Sequence, residues 1–196
     1  MLIEASYTKT VTLDEEHMNF SAQTTSHLDC KLVRWTSTQA QPKRAMIRSL
    51  NPIQSELDII CKFGRSFAEE SNAGDFNDLA FLKTIHTILS TNTGKVFILE
   101  IDNQIAGMVG VNAYKNYYNN NLRVQEIFWW VDYQYRNTRD SIKLFNKVEE
   151  WAQEIGADEV MVSSTATMNV DKLEKFYTKK GFRKMDINYI RSLKDA

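Results

Sequence analysis

The stretch FWWVDYQYRNTRDSIKLFNKVEEWA, residues 128–152, joins two different periodicities in one piece of chain. It begins with an aromatic, apolar run, passes through a short turn that carries Arg136 and Arg139, and continues with apolar residues at helical spacing. The start of a helix leaves backbone N–H groups unpaired and carries about half a positive charge. The turn is therefore a candidate site for a phosphate or pyrophosphate group. An ordinary capped connection with two solvated arginines fits the same residues equally well.

The helix in this stretch is predicted to begin at Asn137 or Thr138, because both residue types are good N-caps. Its apolar face is predicted to dock on a sheet through the residues at helical spacing: Ile142, Phe145, Val148, Ala152 and Ile155. This docking would aim the start of the helix at the space beyond the end of the preceding strand, LRVQEIFWWV, residues 122–131.

Composition narrows the class of protein. The chain has 196 residues, 43% of them hydrophobic, which suits one globular domain or one domain with an appendage. Lysine plus arginine (24) and aspartate plus glutamate (25) nearly cancel, so nucleic acid is a disfavoured partner and an anionic membrane surface is not expected. Cys30 and Cys61 are too few for a disulfide framework or a zinc site. With no signal peptide and no apolar stretch of membrane length, we expect a cytoplasmic protein without a metal.

The chain changes character near Ala45. Residues 1–44 are rich in Ser, Thr and Gln and read as an N-terminal extension, with possible short strands in SYTKTVTL and KLVRW. A loosely specified arm, or a hairpin that contacts a partner such as a second copy in a homodimer, explains this extension as well as any catalytic role does. Residues 45–196 are predicted to alternate strands and helices in the order β, α, α, β, β, β, α, β, α, β, with a last strand in MDINYIRSL. This order predicts an α/β domain with a mixed sheet.

A family resemblance adds to this interpretation. Residues 136–141, Arg-Asn-Thr-Arg-Asp-Ser, resemble motif A of the GNAT N-acetyltransferase superfamily, Gln/Arg-x-x-Gly-x-Gly/Ala, although both glycine positions are changed. WWVDYQYRNTR and VEEWAQEIGA are similar to GNAT proteins often carried by phages and prophages, with Asn137 where glycine is common. The resemblance extends over most of residues 46–193. It implies a GNAT-like fold with a mixed, mostly antiparallel central sheet flanked by helices, acetyl-CoA as cosubstrate, and a small-molecule or protein amine as acceptor.

The resemblance also implies which residues bind acetyl-CoA. The motif A turn would bind the pyrophosphate through its backbone amides, with these residues in contact: Arg136, Asn137, Thr138, Arg139, Asp140 and Ser141. Main chain near Trp129 or Trp130, and at Val131, would pair with pantetheine and polarise the thioester carbonyl. Asn169 is similar to an asparagine often found before the last helix of the family, with one extra residue in the spacing to Tyr177.

Two residues are candidates for acid–base catalysis. Glu126 lies ten residues before Arg136, close to where some family members carry a catalytic glutamate, and is the candidate general base. The alternative is a solvent-facing charge that alternates with the apolar Ile127. Tyr177, in KFYTKKGF, matches the tyrosine that the family places near the CoA sulfur and is the candidate general acid. The alternative is a ring packed under the turn at Gly181.

The acceptor is less well indicated. The loop that carries Glu69, Glu70, Asp75 and Asp78 lies where family members often contact substrate, and its charge favours a cationic acceptor such as a polyamine, a lysine side chain or an amino sugar. Because both motif glycines are absent, a second hypothesis is a non-catalytic module of the same fold. Such a module would act as a CoA-binding or protein-interaction protein directed at a phage or host partner.

Overall fold

The computed structural model of the chain describes residues 19–21, 36–38, 44–191 and 193. The chain divides into two units, residues 1–43 and residues 44–196. Within the described part of the first unit, β1 (Asn19–Ser21) pairs antiparallel with β2 (Thr36–Thr38). The strands predicted in SYTKTVTL and KLVRW, residues 6–13 and 31–35, lie outside the described residues.

The second unit is an α/β domain built on one five-stranded sheet. Its elements in chain order are β3 (Ala45–Ser49), α1 (Gln54–Ser71), α2 (Asp78–Ser90), β4 (Gly94–Ile101), β5 (Gln104–Lys115), β6 (Leu122–Val131), α3 (Arg139–Glu154), β7 (Glu159–Met161) and α4 (Val170–Lys179). The strands lie in the order β3-β4-β5-β6-β7, and every pairing is antiparallel except that of β6 with β7. This arrangement confirms the predicted mixed, mostly antiparallel sheet flanked by helices.

The predicted last strand is wrong. MDINYIRSL begins at Met185, and the described residues of this segment have no strand structure and are all exposed; Tyr189 is 92% exposed. Alternation of apolar residues indicates a strand only where a sheet edge can pair with it. The neighbouring edge strand, β7, is three residues long and is paired to β6.

The helices cover both faces of the sheet and create two cores. On one face, α1 and α2 contribute Ile60, Phe63, Ile85 and Ile88 to a core with Val96 and Ile98 of β4. On the other face, Leu144, Val148 and Trp151 of α3 pack on Phe97, Leu99 and Val109. Among the described residues, no helix combines the length and the apolar character needed to cross a membrane.

The face of α3 that contacts the sheet differs in part from the predicted one. Phe145, Val148 and Ala152 are buried as predicted, but Ile142 is 40% exposed. The buried stripe instead includes Ser141, Leu144 and Trp151, which belong to the same helical face as Phe145 and Val148. In the first turn of α3, the small Ser141 and not the bulkier Ile142 therefore faces the core.

Candidate active site

The two parallel strands β6 and β7 separate shortly after they begin to pair. Their residue pairs are Arg123 with Glu159, Val124 with Val160, and Gln125 with Met161, and no later pair is formed. At the next position of β6, a side chain takes the place of backbone pairing between the strands: Oε2 of Glu126 accepts a hydrogen bond from the N–H of Ser163 at 3.1 Å. Glu126 therefore lies at the point where the two strands part.

A β-bulge marks the same position. Val111 of β5 pairs with Glu126 and Gly110 pairs with Phe128, so Ile127 is an extra residue in β6. The insertion reverses the faces of the strand: Val124 packs in the core beneath α3, whereas Phe128 packs in the core beneath α1 and α2. A Cβ atom at Gly110 would lie 2.2 Å from the Phe128 ring, so this close approach requires glycine.

Glu126 is buried. The residue is 7% exposed and its neighbour Ile127 is 43% exposed, which contradicts the alternative that Glu126 is a solvent-facing charge. Burial raises the pKa of Glu126 to about 7, and the hydrogen bond from the Ser163 N–H opposes this shift. Among the described residues no ion pair to Glu126 is formed. A carboxylate with a pKa near neutrality is suited to accept a proton and release it again.

Tyr177 reaches the same place from α4. Its hydroxyl donates a hydrogen bond to the carbonyl oxygen of Ser163 at 3.2 Å, so Ser163 contacts both candidate catalytic residues through its main chain. Burial, and secondly the charge of Glu126, raise the pKa of Tyr177 above its usual range, and the phenol therefore keeps its proton at neutral pH. Its ring also packs against Phe182, just after Gly181, with 5.8 Å between ring centroids. The tyrosine thus has both a packing role and a hydroxyl directed to the site.

The turn before α3 adopts the backbone conformation that a glycine would favour. Asn137 has φ of 59°, in the left-handed region, where asparagine is one of the few other residues commonly found. Thr138 is the N-cap of α3: its Oγ1 accepts from the N–H of Ser141 at 3.2 Å and donates to the Tyr135 carbonyl at 2.7 Å. Of the two predicted caps, Thr138 is the one used. Asparagine at position 137 therefore preserves the turn.

The turn presents a row of unpaired backbone donors. Among the described residues, no acceptor is found for the N–H groups of four consecutive residues, 137–140. The Arg139 side chain forms no ion pair in this part of the chain, and the Asp140 carboxylate contacts Lys143 Nζ at 2.8 Å. Consecutive free N–H groups at a helix start are suited to bind phosphate oxygens, so these residues fit the pyrophosphate of a CoA molecule.

The other predicted CoA contacts have different surroundings. The Arg136 side chain is engaged by protein groups, since it donates to both carboxylate oxygens of Glu70 and to the carbonyl of Val131. The Trp130 side chain is buried in the core beneath α1 and α2. Asn169 has φ of 45°, precedes α4 as its N-cap residue, and makes no side-chain cap hydrogen bond. The CoA contacts inferred from the resemblance thus come from the end of β6, from the turn before α3 and from the start of α4, and not all of their side chains are free to contact a ligand.

An aromatic cluster surrounds Tyr177. Phe145 and Phe176 lie close to Trp129, with 5.1 and 6.2 Å between ring centroids, and Phe145 lies 5.8 Å from the ring of Tyr177. Within this cluster the indole N–H of Trp129 is buried and has no hydrogen-bond partner in the described part of the chain. An unpaired buried donor costs about 1–3 kcal/mol, so this N–H is an unsatisfied polar group inside the aromatic cluster.

The carboxylates of the predicted acceptor-binding region are less available to a cationic ligand than the sequence indicated. Glu70 is paired with Arg136, and Asp78 is paired with Arg65 at 2.7 Å. Glu69 and Asp75 are exposed and form no ion pair among the described residues. Two of the four carboxylates are thus neutralised by arginines, which weakens the electrostatic argument for a cationic acceptor.

Two residues of the site were not identified from the sequence. Ser163 acts through its main chain, which no side-chain pattern reveals, although its place at the end of the predicted strand DEVMVSS was a usable signal. Glu70 was placed in the acceptor loop, and nothing in the local sequence links it to Arg136, 66 residues away.

A comparison with known protein families identifies the family of this chain. Residues 59–182 match the model described as "Acetyltransferase (GNAT) family". The chain belongs to the GNAT acetyltransferase family. The match includes both helices α1 and α2 in large part, the site on β6 and β7, and α4, so it covers all of the residues proposed for catalysis and CoA binding.

Solved structures with the same fold are distant in sequence. A transcriptional regulator from Bacillus halodurans C-125 superimposes with a TM-score of 0.64 at 14% identity, covering 76% of this chain and 100% of that chain. The acetyltransferase AAC(6')-Iy in complex with a bisubstrate analogue gives 0.62 at 18% identity, covering 76% and 98%. An acetyltransferase from Trypanosoma brucei gives 0.59 at 18%, covering 76% and 100%. No match was found among curated proteins. These similarities show the GNAT fold.

Proposed function

We propose that this protein is an acetyl-CoA-dependent N-acetyltransferase that transfers the acetyl group to a primary amine by direct attack. One observation carries the proposal: Glu126 and Tyr177 meet at Ser163, where β6 and β7 separate. The unpaired amides of residues 137–140 lie in the turn that follows the same strand. Together these features provide a proton acceptor, a proton donor and an anion-binding turn along one gap in the sheet.

Acetyl-CoA would supply an acetyl group activated as a thioester. The amides of residues 137–140 and the side chain of Arg139 would hold its pyrophosphate. Main-chain groups of Trp130 and Val131, at the end of β6 where β7 no longer pairs with it, would orient pantetheine and polarise the thioester carbonyl. By resemblance to the family, Asn169, which precedes α4, would contribute a further contact to CoA.

Glu126 and Tyr177 would each transfer one proton in the reaction. The acceptor amine must be neutral to attack, and a carboxylate with a pKa near 7 is a stronger base than an ordinary glutamate, so Glu126 would take the proton from nitrogen. As the carbon–nitrogen bond forms and the carbon–sulfur bond breaks, Tyr177 would give its proton to the departing sulfur. A cationic amine loses two protons on its way to the amide: one goes to Glu126 before attack, and the second leaves nitrogen for solvent after the carbon–nitrogen bond forms. The products are an amide, a free thiol, a protonated carboxyl, a phenolate and one proton in solvent, and proton exchange with solvent would return Glu126 and Tyr177 to their starting states.

The acceptor is proposed as a cationic amine, of a small molecule or of a protein. Two exposed carboxylates that form no ion pair among the described residues support this choice: Glu69, in the last turn of α1, and Asp75, in the loop between α1 and α2. A similar structure is titled an aminoglycoside N-acetyltransferase in complex with CoA, which makes amino sugars a sensible first class to screen. The relation to phage-carried GNAT proteins remains a hypothesis that rests on the WWVDYQYRNTR and VEEWAQEIGA segments.

The first test is titration of the full chain with CoA and acetyl-CoA. We expect stabilisation in thermal unfolding, because a ligand that binds only the folded state raises its stability by mass action. Polyamines, amino sugars and lysine peptides are then screened for acceptor-dependent release of free CoA thiol. An absence of stabilisation at high ligand concentration would contradict the proposal at its first step.

The second candidate is a non-catalytic module of the same fold. Arg139 and Ser141 occupy the two glycine positions of motif A, and this departure from the family pattern is the observation that favours it. Such a module would bind CoA or a protein partner without turnover. CoA binding with no acetyl transfer to any amine, and with no hydrolysis that depends on Glu126, would favour this candidate.

A further inference from the structure

Arg136 is held by the protein through all three of its guanidinium nitrogens. Nη1 and Nη2 donate to Oε1 and Oε2 of Glu70 at 2.7 and 2.8 Å. Nε donates to the carbonyl oxygen of Val131 at 2.7 Å. Because guanidinium and carboxylate are both planar, a two-point contact of this kind sets orientation as well as distance.

Aromatic rings enclose the same side chain. The guanidinium carbon lies 4.3 Å from the centroid of the Trp130 ring and 3.9 Å from that of the Tyr133 ring. The two rings are nearly perpendicular to each other, so the cation lies in the angle between them. Arg136 and Glu70 each retain 20% side-chain exposure. A partly desolvated cation over two ring faces is stabilised more strongly than an exposed one.

The pair connects parts of the fold that are distant in sequence. Glu70 is in the last turn of α1, and Arg136 immediately precedes the left-handed residue Asn137 of the turn. The next residue of α1, Ser71, accepts a hydrogen bond at its carbonyl from Thr167 Oγ1 at 2.8 Å. The end of α1 is therefore fastened both to the turn before α3 and to the loop before α4, on the two sides of the gap between β6 and β7.

We propose that the Glu70–Arg136 pair positions the CoA-binding turn, and that Arg136 is a positioning residue, not a phosphate ligand. This inference rests on the proposed function. Glu70, Val131 and the two rings hold the Arg136 side chain. These contacts anchor the main chain at position 136 and thereby restrict the positions of the backbone amides of residues 137–140, which follow it. Arg139, whose side chain forms no ion pair in the described part of the chain, is then the arginine of the turn that contacts phosphate.

The two roles for Arg136 predict opposite effects of removing Glu70's charge. If Arg136 bound phosphate, the change Glu70→Gln would release it from a competing carboxylate, and CoA would bind more tightly or equally well. If the pair positions the turn, the same change weakens binding, even though the loss of a negative charge by itself favours an anionic ligand. The sign of the effect therefore separates the two roles.

The experiment measures the dissociation constant of CoA by calorimetry for the full chain and for Glu70→Gln. We expect the constant to rise about tenfold. The matched control is Asp58→Asn, which removes one carboxylate from an exposed position of the same helix, where Asp58 accepts a hydrogen bond from Gln54 and forms no ion pair among the described residues. A change below about twofold is expected. S-acetylpantetheine, which lacks the pyrophosphate, should bind wild type and Glu70→Gln equally, whereas general destabilisation would weaken both ligands.

Arg136→Lys provides a second, independent variant. It keeps the positive charge but loses the two-point contact, so a positioning role predicts weaker CoA binding, whereas a phosphate ligand would be largely replaced by lysine. Its control is Arg65→Lys, at the exposed Arg65–Asp78 pair. Unchanged or tighter CoA binding in Glu70→Gln, or in Arg136→Lys if the first variant does not fold, overturns the inference. Failure of wild type to bind CoA overturns the proposed function as well.

Discussion

The two ends of the β6–β7 pair each carry a glutamate, and the surroundings shift the pKa values of these two glutamates in opposite directions. At the start of the pair, Glu159 forms an ion pair with Arg123 at 2.6 Å, and that arginine lowers its pKa. At the point of separation, Glu126 is buried without a cation among the described residues, and burial raises its pKa to about 7. The same residue type is thus a stable anion where the strands are joined and a proton acceptor where they part. The difference lies in solvation and partners, not in the side chain itself.

The bulge at Ile127 creates this difference. Before it, the backbone groups of β6 are paired on both sides, and after it the side toward β7 is open. The open side receives Tyr177 from α4 through the carbonyl of Ser163. On the two sides of this one-residue insertion, β6 thus changes from a strand with two paired neighbours to a strand that is open toward β7. The predictions below test this contrast.

The largest effect is expected for Glu126→Gln. Glutamine keeps the size of the side chain and can still accept from the Ser163 N–H, but it cannot take a proton. General base catalysis contributes about 10²–10⁴-fold, so kcat/KM should fall by that range, with CoA affinity unchanged. In wild type, kcat/KM should rise with pH through an apparent pKa near 7, and the variant should lose this limb. Wild-type turnover in the variant would show that Glu126 is not the base.

A second effect of Glu126→Gln concerns stability. The pKa of Glu126 is about 7 in the folded protein and near 4.5 when unfolded, so the unfolded chain loses this proton first as pH rises. The stabilising contribution of the protonated carboxyl is complete below about pH 4.5 and is lost as pH rises through 7. The free energy of unfolding of wild type should therefore fall relative to the variant by up to about 3 kcal/mol between pH 4.5 and 8.5. Urea unfolding at both pH values measures this, and parallel behaviour of the two proteins would contradict it.

Tyr177→Phe should have a smaller but clear effect. The phenylalanine ring keeps the packing against Phe145 and Phe182, and the proton donor is lost. We expect turnover to fall at least tenfold, while CoA affinity and melting temperature stay close to wild type. Steady-state kinetics with an identified acceptor, together with calorimetry, measure both. Turnover at the wild-type rate would mean that Tyr177 is a packing residue.

The smallest effect is expected for Glu159→Gln. This change breaks the ion pair with Arg123 at the joined end of the strands and leaves the gap untouched. Turnover and CoA affinity of the folded protein should stay within about twofold of wild type, because the pair is distant from the gap along both strands. Stability should fall, since Arg123 is 9% exposed and would lose its ionic partner. The measurement is the same kinetic assay used for Glu126→Gln. A loss comparable to that of Glu126→Gln would mean that the two ends of the pair are not functionally distinct.

Local patterns predicted most of the elements of this fold. β6 and α3 follow from an apolar run and a helical periodicity that lie wholly within residues 122–154, and the hairpin of β4 and β5 follows from the turn at Asp102 and Asn103. The motif A turn and the candidates Glu126 and Tyr177 came from family resemblance to short segments. The sequence by itself therefore determined the order of elements as far as α4, the position of the turn before α3, and the residue types available for acid–base chemistry.

Tertiary structure decided the burial and the partners of those residues. The burial that raises the pKa of Glu126, its contact with Ser163, and the capture of Arg136 by Glu70 all join positions far apart in the chain. Conversely, MDINYIRSL has strand-like alternation but no strand pairing in the described residues. Periodicity reports which face of an element is apolar, whereas pKa values, ion pairs and strand partners depend on which distant groups come within a few ångströms, and this is set only when the chain folds.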